Sequence, residues 1–240
     1  MIPHDPSLVI LSTTIAILGA FTACVTTSNL ATLGRSESRL RLIMASLTLG
    51  GSLWAVHFVG LLALEVPINF AQNPLLLTMS AVVAFSGVAI ALFLVRGSGS
   101  TAGARLPVSV AILGITIAAT HYFGIAAIAG RGLHLSWFLT LISIAVSIQV
   151  AGITLWFLFQ PRGVVLTLIG AIGLGLCLSA THYLSIASAE GFEQTLLSLP
   201  PYDSGISERY LAWSATIMMY LLCSICLCVF VVMQFRDEIE

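Results

Sequence analysis

Hydrophobic positions fall in seven blocks, roughly 8–30, 42–64, 75–95, 108–129, 136–159, 164–188 and 210–233. Each is close to the ~20 apolar residues that cross a hydrocarbon layer. The breaks between blocks are short. Arg35-Ser-Glu37-Ser-Arg39-Leu-Arg41 reads as a charged loop, Pro67 to Pro74 as a polar turn, and Arg96 to Pro107 as a flexible basic segment. Gly130-Arg131-Gly132 and Gln160-Pro161-Arg162-Gly163 read as tight turns, and the longest connection, 189–209, is acidic and contains Pro200-Pro201. The pattern predicts an all-α polytopic membrane protein, with seven transmembrane helices in one domain over 1–240. It leaves no stretch for a separate soluble domain.

Three blocks carry the same phrase: Trp54-Ala-Val-His57-Phe58-Val-Gly60, Thr120-His121-Tyr122-Phe-Gly124 and Thr181-His182-Tyr183-Leu-Ser185. Each sets a histidine, an aromatic and a small residue at fixed offsets, with a glycine seven residues earlier at Gly50, Gly114 and Gly175. The histidines are 64 and 61 residues apart. The chain therefore reads as three helix hairpins, each a plain helix followed by a histidine helix, and then a seventh helix. A histidine taken alone in a span reads as a hydrogen-bond partner for a neighbouring helix. Three in register read as a shared functional site, because a buried ionisable group is costly in lipid. Residues three, four and seven apart share a helix face. Gly50, Gly114 and Gly175, with Gly60, Gly124 and Ser185, are thus expected to line one stripe that packs the histidine helices closely.

Composition agrees with a membrane protein: 58% of residues are hydrophobic and 8% charged. A formal net charge of −1 gives no basis for a nucleic-acid partner. All nine basic residues are arginine. Arg35, Arg39, Arg41, Arg96, Arg105, Arg162 and Arg236 fall on one side, against Arg131 and Arg209 on the other. The positive-inside rule then places the N-terminus outside and the C-terminus in the cytoplasm. The N-terminus lacks the basic region of a cleavable signal, so the first block is expected to remain a helix. Each histidine precedes the outer end of its helix by six to eight residues, or about 10 Å. All three share one layer in the outer half of the bilayer. The five cysteines lie in apolar blocks and read as free thiols. Cys223-x-x-Cys226-x-Cys228 falls deeper than the histidine layer and reads as small apolar residues.

Three neutral imidazoles converging at one depth suit Zn²⁺ or copper, with a coordination position left open. His57, His121 and His182 are the candidate metal ligands. Phe58, Tyr122, Tyr183, Thr120 and Thr181 border them, and the tyrosine hydroxyls can orient imidazoles by hydrogen bonds. In the seventh block, Met218 and Met219 lie eight or nine residues from the outer surface, so either thioether is a further candidate ligand that would favour Cu(I). His4 and His134 read as solvated, Glu65 and Glu190 as caps at the outer rim, and Gln149 as a hydrogen-bond partner for a neighbouring helix. No residue reads as catalytic.

These residues resemble the MHYT domain, a bacterial seven-helix sensor module named for a repeated Met-His-Tyr-Thr motif. The resemblance covers essentially the whole chain. Carried onto this sequence, the family histidines are His57, His121 and His182, and the aromatics Phe58, Tyr122 and Tyr183. The resemblance implies a metal, with copper foremost, that senses oxygen, carbon monoxide or nitric oxide. It also implies a cytoplasmic cyclic di-GMP or histidine-kinase effector after residue 240. The motif methionine is replaced by Val56, Thr120 and Thr181, and the threonine by Val59, Phe123 and Leu184. The methionine after the glycine becomes Leu61, Ile125 and Ile186. With every motif thioether gone, selection for Cu(I) weakens and zinc or Cu(II) gains ground.

The leading expectation is a sensory input domain that binds metal near the outer face and signals inward through the charged tail Gln234 to Glu240. A zinc-dependent intramembrane hydrolase acting on a lipid is the alternative, opposed by the lack of a carboxylate within a turn of any motif histidine. A metal-free structural or transport bundle is a third reading, and a homodimer stays open.

Overall fold

The computed structural model describes residues 4–30, 33–64, 73–96, 102–129, 134–160, 163–190, 192, 194 and 208–237. Seven long helices carry the chain: α1 (Pro6–Thr26), α2 (Arg35–Leu62), α3 (Pro74–Val95), α4 (Ala102–Ala129), α5 (Trp137–Leu158), α6 (Val164–Ser188) and α7 (Glu208–Asp237). All seven are long and apolar enough to cross a membrane. A two-residue ribbon, β1 (His134–Leu135) with β2 (Ala189–Glu190), pairs antiparallel at the histidine end.

Helix limits depart from the sequence reading in three places. α1 stops at Thr26 rather than 30, because Asn29 turns into the left-handed region at φ 56°. α4 starts at Ala102, inside the segment read as a flexible loop, and carries Pro107 in its second turn. α2 starts at Arg35, so the segment read as a charged loop is helix. The reason is local: Arg41 and Glu37 are four apart on one face, and their charged groups meet at 2.6 Å. Arg41 is wholly buried, its guanidinium lying 4.9 Å over the Phe230 ring of α7. The Gln234 amide, with its oxygen turned toward Arg41, accepts from Nη2 at 2.8 Å and Nη1 at 3.2 Å. A residue expected to face water instead joins α2 to α7.

The hairpins close into a ring. α1 packs on α2, α2 on α3, and so round to α6, which returns to α1. α2, α4 and α6 also touch one another, so the histidine helices meet at the centre. α7 stands outside the ring against α1 and α2. The glycines seven residues before each histidine explain the close spacing: a Cβ on Gly50 of α2 would meet the Ala84–Phe85 backbone of α3 at 3.1 Å, one on Gly114 of α4 would meet Ile148 of α5 at 2.6 Å, and one on Gly175 of α6 would meet Ile17 of α1 at 2.5 Å. Small residues there let backbones touch, as membrane packing requires.

Each hairpin is also stapled at its histidine end. The residue capping the plain helix donates its N–H to the carbonyl six residues after the histidine: Asp5 to Ala63 (2.7 Å), Asn73 to Ala127 (2.7 Å) and Ser136 to Ser188 (2.9 Å). The Asp5 and Asn73 side chains cap helices that open on Pro6 and Pro74. Seven residues past each cap stands a buried serine: Ser12, Ser80 and Ser143. This second repeat, carried by the plain helices, was readable in the sequence at the same offsets, and the motif reading missed it.

Candidate metal centre

The three histidines sit on separate central helices and are buried to 0%, 0% and 1% exposure for His57, His121 and His182. One ligand nitrogen from each lies within 4.8 Å of the others, so the three could hold a metal ion. Ring centroids are 4.9 Å apart for His57–His121, 5.1 Å for His57–His182 and 5.7 Å for His121–His182. Below them the ring is filled by Leu49, Leu53, Val88, Leu113, Ile117 and Leu178 around a void of about 10 Å³. That volume is marginal for one water, and apart from Thr154 its lining is apolar, so it offers water almost no hydrogen-bond partner.

The ring nitrogens are incompletely satisfied. His121 Nδ1 lies 2.6 Å from the Ile117 carbonyl. A carbonyl only accepts, so Nδ1 carries the proton and Nε2 holds a lone pair. His57 Nδ1 and His182 Nδ1 face each other at 3.1 Å. Two nitrogens on one tetrahedral zinc, at about 2.05 Å each, would stand about 3.3 Å apart. All three Nε2 atoms are buried with no hydrogen-bond partner among the described residues. The His57 and His182 Nε2 atoms abut Gly124 and Gly60 while their Nδ1 atoms face each other, and a cation held by one nitrogen of each ring fits this donor set.

The small residue three after each histidine proves to face a different partner from the glycine seven before it. A Cβ on Gly124 would run into His57 Nε2, and one on Gly60 would lie 2.5 Å from His182 Nε2. Each copy thus makes room for the imidazole of another. The third copy has Ser185 there, buried and 3.1 Å from Ser143 Oγ. The expected single stripe is corrected: ten residues of helix separate the two small positions by about 80°, enough to address two neighbours.

The surrounding residues divide. Tyr183 packs edge-on against His182 at 5.1 Å, its hydroxyl buried and without a partner among the described residues. Tyr122 does not reach an imidazole, because its hydroxyl bonds Ser188 Oγ at 2.9 Å. Phe58 stacks on Trp54 at 5.0 Å and packs toward α1 and α7. The Thr120 and Thr181 hydroxyls donate to Thr116 and Leu178 carbonyls of their own helices. The group that orients a ring is the Ile117 carbonyl, for which the sequence carries no signal. Met218 is 52% exposed and turned outward. Met219 is fully buried, but its sulfur packs where a Cβ on Gly51 would be, at 2.9 Å. Gly51 is six residues from His57, or about 9 Å along α2. The expected sharing of one layer fails because α7 docks outside the ring.

Of the remaining expectations, His134 and Glu190 are exposed partners in the ribbon, and Glu65 lies outside the described residues. Gln149 is exposed on α5 rather than turned to a neighbour. None of the five cysteines forms a disulfide. His4, expected to be solvated, is instead half-buried with Nε2 shut away.

Comparison with known proteins matches two of the three copies of the repeat. Residues 50–107 and 114–171 match the MHYT family model, a bacterial signalling protein N-terminal repeat. The two matched units open on Gly50 and Gly114. The bifunctional diguanylate cyclase/cyclic di-GMP phosphodiesterase MucR of Pseudomonas aeruginosa is 30% identical over 193 residues, 78% of this chain and 28% of that protein. The signaling protein YkoW of Bacillus subtilis is 25% identical over 231 residues, 92% of this chain and 28% of that protein. The cyclic di-GMP phosphodiesterase NbdA of P. aeruginosa is 31% identical over 129 residues, 52% of this chain and 16% of that protein. The chain thus spans under a third of these relatives. No solved structure matches. On its repeat, its seven apolar helices and its signalling relatives, the chain belongs to the MHYT family of bacterial membrane signalling domains.

Proposed function

We propose that this chain is a sensory input domain that binds copper through His57, His121 and His182 and detects a diatomic gas or a redox change. The observation that carries the reading is the buried imidazole cluster, in which one ligand nitrogen of each ring lies within 4.8 Å of the others. Among the described residues the cluster includes no carboxylate, so a bound ion keeps its charge inside a low-dielectric bundle. Burying net charge is expensive. A monovalent ion, Cu(I), costs less than a divalent one, and nitrogen sites rank Cu(II) above zinc. When bound, the ion would offer an open position to a small ligand. Of the protein groups, Ile117 holds the His121 ring in place, Gly60 and Gly124 admit its two partners, and the apolar filling below keeps water out.

That same filling weighs against a transport path, and the missing carboxylate against a hydrolase. The arginine distribution supports an outer N-terminus and a cytoplasmic C-terminus. By analogy with the cyclic di-GMP relatives, α7 leads to a cytoplasmic effector, and its Arg41–Gln234 contact supplies a mechanical link from a histidine helix. Copper and zinc content should be measured on purified protein and on each His→Ala variant. About one copper per chain, lost in His57→Ala, His121→Ala and His182→Ala but kept in His134→Ala, is expected. Zinc in place of copper would overturn the metal assignment, and equal loss in all variants would overturn the site.

A further inference from the structure

His4 breaks the threefold repeat. It precedes the cap Asp5 as Leu135 precedes the cap Ser136, and it pairs with Leu64 as Leu135 pairs with Ala189. Leu64 and Ala189 are each seven residues after a motif histidine. Where the third copy carries an exposed leucine, the first turns an imidazole inward. The His4 ring meets Tyr183 edge-on at 5.6 Å, and Tyr183 meets His182 edge-on at 5.1 Å. His4 Nε2, Tyr183 Oη and His182 Nε2 are all buried without partners among the described residues. They form a row of unspent polar groups leading from a half-buried residue to a closed site. Around the row the cap is apolar, made of Leu61, Leu64, Ile125, Ile128, Ala189 and Phe192. A hydrated ion cannot cross that cap unaided, whereas an ion passed from one polar group of the row to the next need only exchange one ligand at a time.

Resting on the metal reading above, we propose that His4 is the entry ligand of the centre, taking a copper ion from the aqueous side and passing it by Tyr183 to His182, His57 and His121. At His4 one metal–water bond breaks as one metal–imidazole bond forms, and the water returns to solvent. The His4 bond is then broken as the buried nitrogens take over. No proton or electron is exchanged. His4 is thus absent from the loaded site, and it governs the rate of exchange rather than the affinity.

The test is copper(I) transfer to and from a chromogenic chelator, bathocuproine disulfonate, with the full chain in detergent. His4→Phe keeps a ring on Tyr183 and removes the nitrogens; His4→Leu copies the third repeat. Both should slow loading and extraction about equally, tenfold or more, with the equilibrium Kd within twofold of wild type. Unchanged rates overturn the proposal. So does faster loading, which would mark the paired His4 segment as a mere lid, or a weaker Kd with faster extraction, which would make His4 a resident ligand. A wild-type chain that takes up no copper overturns the metal reading itself, an outcome distinct from these.

Discussion

Replacing Gly60 with alanine tests the centre through a residue that has no ligand atom. The added methyl would lie 2.5 Å from His182 Nε2 and 2.9 Å from its Cδ2. Ordinary carbon contacts begin near 3.5 Å, so the ring must retreat by about 1 Å. Metal–ligand distances tolerate only about 0.2 Å, so one of three ligands is lost. Disturbing groups that merely orient ligands weakens binding by about 10–100-fold, and at least the upper figure is expected here. With the metal at about 1,000 times its wild-type Kd, bound ion adds about 4.1 kcal/mol of stability; a hundredfold loss of affinity removes about 2.7 kcal/mol of that. Gly124→Ala should act likewise on His57, and overpacking adds about 1–3 kcal/mol of destabilisation without metal. Gly173→Ala, where nothing lies within 4 Å, is the control. Thermal melts with and without copper separate the two contributions. A Gly60→Ala chain whose copper-dependent shift equals that of wild type would refute the placement of His182.

Arg41→Ala should cost about 3–5 kcal/mol in a melt without metal, the usual penalty for breaking a buried ion pair; a loss below 1 kcal/mol would mean that Glu37 and Gln234 do not hold it. Met219→Leu, and Met218→Leu beside it, should leave copper affinity within twofold, and a tenfold loss in either would put a thioether on the metal. Asn73→Ala removes the side-chain acceptor for Leu75 and Leu76 N–H groups and should destabilise by about 1 kcal/mol, read as a shift of the melting midpoint. For orientation, a cysteine at the exposed position of His134 should react with an impermeant maleimide in intact cells and one at Arg39 should not, with the opposite pattern reversing the topology.

Much of this protein is local and therefore legible in the chain. Hydrophobic length fixes the helices, and α6 falls on the residues the pattern marks, Val164–Ser188. The equal offsets of His57, His121 and His182 put three imidazoles at one depth, since rise per residue is constant. What a helix faces is another matter. Periodicity fixes the angle between Gly50 and Gly60 but not that one meets α3 and the other His182; crossing angles and neighbours, set by the whole ring, decide that. Burial of Arg41 depends on α7 arriving over it with Phe230 and Gln234, 189 and 193 residues further along the chain. The same docking carries Met219 away from the histidine layer. His4 carries no special signal in the sequence, and only its pairing with Leu64 turns it onto Tyr183. The sequence by itself determined the spans, the repeat and the depth of the site, because these follow from each helix alone. Only tertiary packing decided which nitrogens face each other, which small residue makes room for which ring, and where the seventh helix lies, because each is a relation between helices that no single stretch of chain contains.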